Sequence, residues 1–486
     1  MKVAKIIRKY IFPAFLVTLP LIVKPQNINL KPLLLQGRVV CNGKGINDVS
    51  VTDGINICRT DANGMYKLQS TKQTPFVYFS SPSGYEVPVK LSVPQFFRVI
   101  PKNVSATLKN DFELKKMTHD DNKHGFIVWV DPQVARPEQI APMKDVVNDL
   151  HDFLKENKSV PFHAMGCGDI ISDNHAFFYT TRQALATLGI PFYQSIGNHD
   201  IDFYGKLNEV ASKSYEARFG PTYYSFNRGK IHYVVLNDVF YIGRDYFYIG
   251  YLTGQQLDWL EQDLKYVRKG STVVVCFHIP SALDQSDIKT FSYSNISTSL
   301  TNKKGLYDLL MPFNTHIISG HLHSNINVSV KPNIMEHIHS SVCGAWWQGT
   351  VATDGTPKGY GVFKVDGDSI SWFFKSLGKD KSYQFKQYPL GANPEQPDYI
   401  TVNVWNWDSK WKVYWYEDGV KIGEMENYKG LDPQSVTEYS NTDKLVYKWI
   451  KSGTTDHLFR FKPSSKSAKI KIEVVDRFGT TYTSTL

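Results

Sequence analysis

Little in this 486-residue chain points to covalent cross-linking, repeated membrane spanning or nucleic-acid wrapping. There are only five cysteines, an odd number, so they cannot all pair. Cys41 and Cys58 fall in one small β-type region. They either form a single disulfide in an oxidising compartment or remain two small apolar side chains. Cys167, Cys276 and Cys343 lie in apolar surroundings and read as core residues. No segment beyond the N-terminus approaches the roughly 20 apolar residues that a membrane helix needs. Internal repeats and low-complexity tracts are absent. The net charge of +9 is modest, and five of its charges (Lys2, Lys5, Arg8, Lys9 and Lys24) lie in residues 1–25, which hold no acid. What is left, spread over so long a chain, makes no case for nucleic-acid binding.

What is present begins with that basic N-terminus, followed by an apolar run from Ile11 to Val23 broken by Pro13 and Pro20. The run is short for a membrane span and right for a signal-peptide core. Residues 1–25 are therefore expected to direct export, to a periplasmic, extracellular or cell-surface location in a bacterial setting, with a retained N-terminal anchor as the alternative. A chain of this length exceeds the size of a single core, and three zones follow. From 34 to 115, short β-type runs alternate with turn signals such as Asp53-Gly54 and Asp61-Ala62-Asn63-Gly64, which predicts a β-sandwich. From 124 to 376, apolar runs alternate with helical spacing, which predicts an α/β layered core. Within it Tyr223–Phe226 and Ile231–Leu236 flank Asn227-Arg228-Gly229 as a hairpin, and Thr253 with Gln256 forms a capping box opening a helix to about Val267. From 397 to 486 the pattern is β-rich again and carries nothing chemically suggestive, so a structural or docking role is expected there.

Polar residues collect just after the apolar strands of the middle zone. Phe126–Val130 ends in Asp131-Pro132-Gln133, and Phe162–Met165 leads into Gly168-Asp169. Phe192–Ile196 leads into Gly197-Asn198-His199-Asp200, Val273–Phe277 ends in His278, and His316–Ser319 ends in Gly320-His321-Leu322-His323. Strand carboxyl ends are where α/β sheets build their sites. The mixture of oxygen and imidazole donors suits Mn, Fe or Zn. Singly, each residue is as well explained as a turn former, a cap or a packed histidine; His163 and His232 are read in that ordinary way. The ordered set is not.

That order resembles the calcineurin-like metallophosphoesterases, whose pattern runs Asp-x-His, Gly-Asp, Gly-Asn-His-Asp/Glu, His, Gly-His-x-His. The flanking zones resemble the β-modules of one bacterial branch, through Gly37-Arg38-Val39, Val51-Thr52-Asp53-Gly54, Thr60–Gly64 and Val402-Asn403-Val404-Trp405-Asn406-Trp407. The resemblance implies two divalent metal ions bridged by Asp169. One would also take Asp131, Gln133 and His323, the other Asn198, His278 and His321. Gln133 stands where the general family has histidine, and an amide oxygen is a weaker, harder donor than imidazole.

Two such cations, about 3.5–4 Å apart, activate a water as nucleophile and neutralise phosphoryl oxygens. The implied function is hydrolysis of a phosphomonoester or phosphodiester by attack of that hydroxide. His199 is then the candidate general acid, with Asp173 the first candidate to orient it and Asp200 the second. In the Gly-rich loop around Ala345, Trp346 and Trp347 cannot both enter one core, so one is a candidate to face the metal cleft and substrate, with core packing the alternative for either ring alone. His337 and His339 either line the cleft or alternate on a strand. The expected substrate is a small-molecule, glycan-linked or lipid-linked phosphate ester. The alternative, which rests on Gln133, is a weakly active or inactive surface binding protein on the same fold.

Overall fold

The computed structural model describes residues 32–71, 74–104, 106–283 and 292–486. The export signal expected over residues 1–25 lies outside them.

The first unit is built on the strand Leu33–Cys41, whose alternating burial leaves one face for a core. It pairs antiparallel with Met65–Ser70 and parallel with Thr107–Lys109 and Phe112–Lys116. A second small sheet, ordered Phe97–Val99, Phe76–Phe79, Ser50–Thr52, Ile57–Arg59, packs beside it. The turn before Met65 is closed by Asp61, whose Oδ1 accepts from the amides of Asn63 and Met65 (2.8 and 2.9 Å). Cys41 and Cys58 are half-buried and Cys167, Cys276 and Cys343 buried, and none of the five forms a disulfide.

Two sheets face one another in the middle of the molecule. The first runs Phe192–Ser195, Phe162–Cys167, Lys123–Trp129, Gly359–Asp366, Ser369–Ser376. The second runs Tyr224–Arg228, Ile231–Val235, Thr272–Cys276, Asn314–Ser319, Ile334–Ile338, Ile326–Lys331. Their inner strands, all parallel except Gly359–Asp366, are largely buried, which is why they read as apolar runs. Phe126, Val128, Met165, Val274 and Phe363 fill the space between the sheets. Helix Ile140–Glu156 covers the outer face of the first with Met143, Val146, Val147, Leu150 and Phe153. Helices Gly254–Leu264 and Lys303–Leu310 cover the second through Trp259, Leu260, Leu306 and Leu310.

Two local expectations are adjusted. The hairpin strand continues through Arg228, so the turn is Gly229-Lys230, with Gly229 at φ 56° and room for no β-carbon, which would lie 2.4 Å from Asp121 O. Thr253 does cap its helix (Gln256 N to Thr253 Oγ1, 3.3 Å), but the helix ends at Leu264. The Gln256 side chain turns away to exchange hydrogen bonds with Asn237 (2.9 and 2.7 Å).

The last unit is a pair of four-stranded sheets whose inner faces enclose Val402, Val413, Phe459, Ile472 and Val474. It is locked to the middle unit by buried polar groups: His457 meets Asp354 at 3.2 Å and Asn403 at 2.7 Å, and Asn403 donates to Asp432 at 2.8 Å. No helix among the described residues is long and apolar enough to cross a membrane.

Candidate metal centre

The strand-end loops converge at one end of the two sheets, and their backbone is bent to bring the side chains inward. Asp131, Gln133, Asp169, Asp173, His321, His323, Trp346 and Trp347 all have φ between 41° and 69°. Non-glycine residues rarely adopt that region, and they cluster where structure around them enforces it. Gly197 supplies the closeness: a β-carbon there would lie 2.1 Å from Asp169 N and Oδ1.

Four donor atoms meet at His278. Its Nδ1–H donates to the Cys167 carbonyl (2.7 Å), which turns Nε2 toward Asn198 Oδ1 (3.0 Å), His321 Nδ1 (3.1 Å) and Asp169 Oδ2 (3.3 Å). Ligand atoms of Asp169, His278 and His321 all lie within 4.8 Å of one another. Lone pairs gathered in a dry pocket need a cation among them. The pocket's charge favours a cation too: burial pulls the His278 pKa down, but the Asp169, Asp131 and Asp238 carboxylates lift it to about 10. Burial, helped by His278, holds His321 down at about 3, so it is a neutral lone-pair donor.

Beside this cluster, three buried atoms have no hydrogen-bond partner: Asp131 Oδ1, Gln133 Oε1 and His323 Nε2. They belong to the three residues expected to share the first metal with Asp169. Asp131 holds its other oxygen on the His321 amide (2.9 Å), and Gln133 Nε2 donates to Asp169 Oδ2 (2.7 Å). His323 is kept neutral by burial, at about 4, with Nδ1 toward the Gly344 carbonyl at 3.4 Å. Orphaned buried donors of this kind are a poor arrangement for a protein alone and a good one around a second divalent ion. The residues present therefore fit two metals.

His199 sits at the rim, its side chain about a third exposed. Nδ1 meets Asp173 Oδ1 at 2.8 Å, and Nε2 lies 4.0 Å from Asp169 Oδ2. Burial acts to lower its pKa, but Asp169 and Asp173 more than offset that and hold it at about 9. Asp200 does not orient His199. Its carboxylate is fully buried and accepts from the amides of Ile171 (3.2 Å) and Gly197 (2.9 Å), bracing the loop from beneath.

The two tryptophans separate. Trp347 turns inward and donates to the Pro132 carbonyl (2.7 Å). Trp346 stacks on His323 (centroids 4.2 Å, planes 21° apart) and meets Trp449 edge-on at 4.4 Å. His337 and His339 are not brought to the metal centre. His337 is bonded to His316 (3.0 Å) and Asn327 (2.6 Å), and both pack on Phe363 in the interior. His163 and His232 are likewise interior, the first against Arg228 and the second against Asp263.

Sequence reasoning missed three contributors. Asp238 receives the amides of His278 (3.1 Å) and Ile279 (2.9 Å), and Ser341 donates to the Asp131 carbonyl (2.6 Å). Asp238 follows the strand Ile231–Val235 at the same end as the others, a signal that the strand-end rule contains. The third, Trp449, comes from more than a hundred residues beyond the cluster and has no local signature.

Residues 34–117 match the family model "N terminal of Calcineurin-like phosphoesterase", and residues 336–482 match "C terminal of Calcineurin-like phosphoesterase". The second match begins inside the middle zone and takes in the tryptophan loop. No curated protein matches the chain. Among solved structures, a dimetal phosphatase from Danio rerio is 15% identical, with 53% of this chain and 97% of that one covered at a TM-score of 0.39. A purple acid phosphatase from yellow lupin seeds is 12% identical, with 72% of each chain covered at 0.39. A 5′-nucleotidase from Candida albicans is 12% identical, with 55% and 54% covered at 0.33. Likenesses so distant add no weight. Carried by the two flanking matches around the clustered donor set, the assignment is plain: the chain belongs to the calcineurin-like phosphoesterases, a family of hydrolases.

Proposed function

We propose that this protein is an exported, metal-dependent esterase that hydrolyses a phosphomonoester or phosphodiester with two divalent ions. The observation that carries the reading is the trio of unpartnered buried atoms, Asp131 Oδ1, Gln133 Oε1 and His323 Nε2, beside the Asp169, His278 and His321 cluster. One ion would be held by Asp131, Gln133, His323 and Asp169, the other by Asp169, Asn198, His278 and His321, with Asp169 shared. When bound, such a pair supplies Lewis acidity that activates water and neutralises the phosphoryl oxygens.

The protein's own groups do the rest. His199 holds its Nδ1 proton on Asp173, so that Nε2 faces the cleft and carries the proton needed by the departing oxygen. Asp238, Asp200 and Ser341 hold the ligand-bearing loops, and such positioning is a large part of phosphoryl transfer. Trp346 and Trp449 form an aromatic wall beside His323, suited to the flat or sugar-like face of a substrate. Export is supported by the basic and apolar pattern of residues 1–25.

The test is metal content together with turnover. Protein loaded with Mn should carry two ions and cleave an aryl phosphate or a bis-aryl phosphodiester, and Asp169→Ala should abolish both. Two bound ions with no cleavage of either ester would refute the reading. A second reading, a binding protein without turnover, is favoured by one feature: Gln133 hydrogen-bonds to Asp169, the shared ligand, where imidazole would coordinate. It predicts at most one tightly held ion.

A further inference from the structure

A second cavity lies at the far end of the sheets from the metal centre. The strand Phe162–Cys167, about 20 Å long at the usual rise, runs from one to the other. The cavity, about 530 Å³, is within the range of small-molecule sites. The first unit closes it by docking on the edge strand Tyr224–Arg228, where Ser81 bridges Phe226 and accepts from Asn227 N (2.8 Å).

The feature that demands explanation is Arg228, at the end of that strand and lining the cavity. It is 8% exposed, yet it forms no ion pair among the described residues. Its Nη1 meets His163 Nδ1 at 3.1 Å, and its Nε is buried with no partner at all. His163 is no counter-ion: burial and the Arg228 charge hold it neutral, so it can only accept through a ring lone pair. Asp121 and Glu86 act on the guanidinium only from beyond ion-pair distance, and Glu86 is engaged by Lys115 at 4.0 Å. A buried cation without a counter-ion is among the costlier arrangements in a folded chain. Two further cations, Lys155 and Lys158, line the same cavity and are exposed. The lining also includes one carboxylate, Glu86, and the polar Ser81, His151 and Asn227; the apolar part of the wall holds Tyr193 and Phe226, stacked at 3.7 Å and 12°.

We propose that this cavity binds a small organic anion, a single carboxylate or phosphate on a flat apolar body, with the anion seated on Arg228. The guanidinium offers the anion its charge and the N–H groups that His163 does not take. Tyr193 and Phe226 accept the apolar body, and Lys155 and Lys158 add long-range attraction. The site is separate from the metal centre and does not depend on the proposed hydrolysis.

The probe is 2-naphthoate, with neutral 2-naphthamide as its uncharged match, each titrated calorimetrically into the full-length protein. One saturable site is expected for the acid, with the amide at least tenfold weaker. Arg228→Met should weaken naphthoate at least tenfold, and the surface pair Lys155→Ala with Lys158→Ala, which leaves the core intact, should weaken it about two- to fivefold. Binding should be the same before and after chelator treatment, which separates this cavity from the metal cleft. Absence of saturable naphthoate binding, equal binding of the amide, or binding unchanged in both variants would overturn the proposal. Binding lost on chelation would assign the anion to the metals instead.

Discussion

Asp173→Asn removes the charge that orients His199 while keeping size and one acceptor. Asp173 Oδ1 lies 2.8 Å from His199 Nδ1, the geometry of a charge-assisted hydrogen bond. Such a bond is worth about 1.5–3 kcal/mol when sheltered. The Asp173 side chain is 40% exposed, and solvent screening reduces the share felt at the imidazole to about 1–2 kcal/mol. If His199 protonates the leaving oxygen, that loss appears only where protonation limits the rate. For an alkyl phosphate, kcat should fall about 5- to 30-fold. For p-nitrophenyl phosphate, whose leaving group needs little help, it should fall less than about twofold on the same argument. The assay is a series of esters graded by leaving-group pKa, run on wild type and variant at matched metal occupancy. The slope of log kcat against leaving-group pKa should steepen in the variant. A uniform loss across the series, or none, would refute the assignment of His199 and Asp173 to proton delivery.

Gln133→His should raise affinity for the more weakly held ion about tenfold or more, since imidazole is the stronger donor, measured by competition with a calibrated chelator. Unchanged affinity would remove Gln133 from the ligand set. Trp449→Ala should raise KM for bulky aromatic or sugar-bearing esters about threefold to tenfold, as loss of one ring contact predicts, and leave KM for small alkyl phosphates alone. Asp354→Asn removes the buried carboxylate that meets His457 (3.2 Å) and accepts from the Asn325 and Thr356 amides (2.9 Å each), and should cost about 3 kcal/mol at neutral pH, read from chemical denaturation of the C-terminal sheets. The Asp354 carboxyl is held below its usual value, with burial acting against and the His457 contact prevailing. The wild-type advantage should therefore be complete above about pH 4, the unperturbed range, and shrink as pH falls through the lower folded value. An advantage that grew on acidification would contradict this. Deleting residues 1–25 should retain the protein in the cytoplasm, as fractionation would show.

The donor set was legible because of where it sits. A parallel strand buried on both faces reads as an unbroken apolar run, so its end is visible, and Asp131, Asp169, Asn198, His278 and His321 each stand just past one. The glycines that permit close approach are local and were visible too. What escaped depends on distance along the chain. Trp449 reaches Trp346 only because Glu438 and Gln348 tie their two loops together, through the Thr350 and Tyr447 amides among others. Asp173, the first candidate to orient His199, arrives from another strand end, and Asp200, the second candidate and its neighbour in sequence, is turned beneath the loop. Gln256 satisfies a capping pattern on paper and serves Asn237 in the fold.

The left-handed residues around the centre also bear on how this protein responds to selection in the laboratory. Six of them, Asp131, Gln133, Asp169, Asp173, His321 and His323, are donors or partners in the site, and each carries conformational strain that glycine would relieve. Replacement by glycine would shed a proposed metal donor, or at Asp173 the partner of His199, and relieve that strain at once. A screen for heat resistance alone would therefore enrich inactive variants at these positions. Retention of chelatable metal, scored alongside stability, would keep such a search on the functional side of that trade-off.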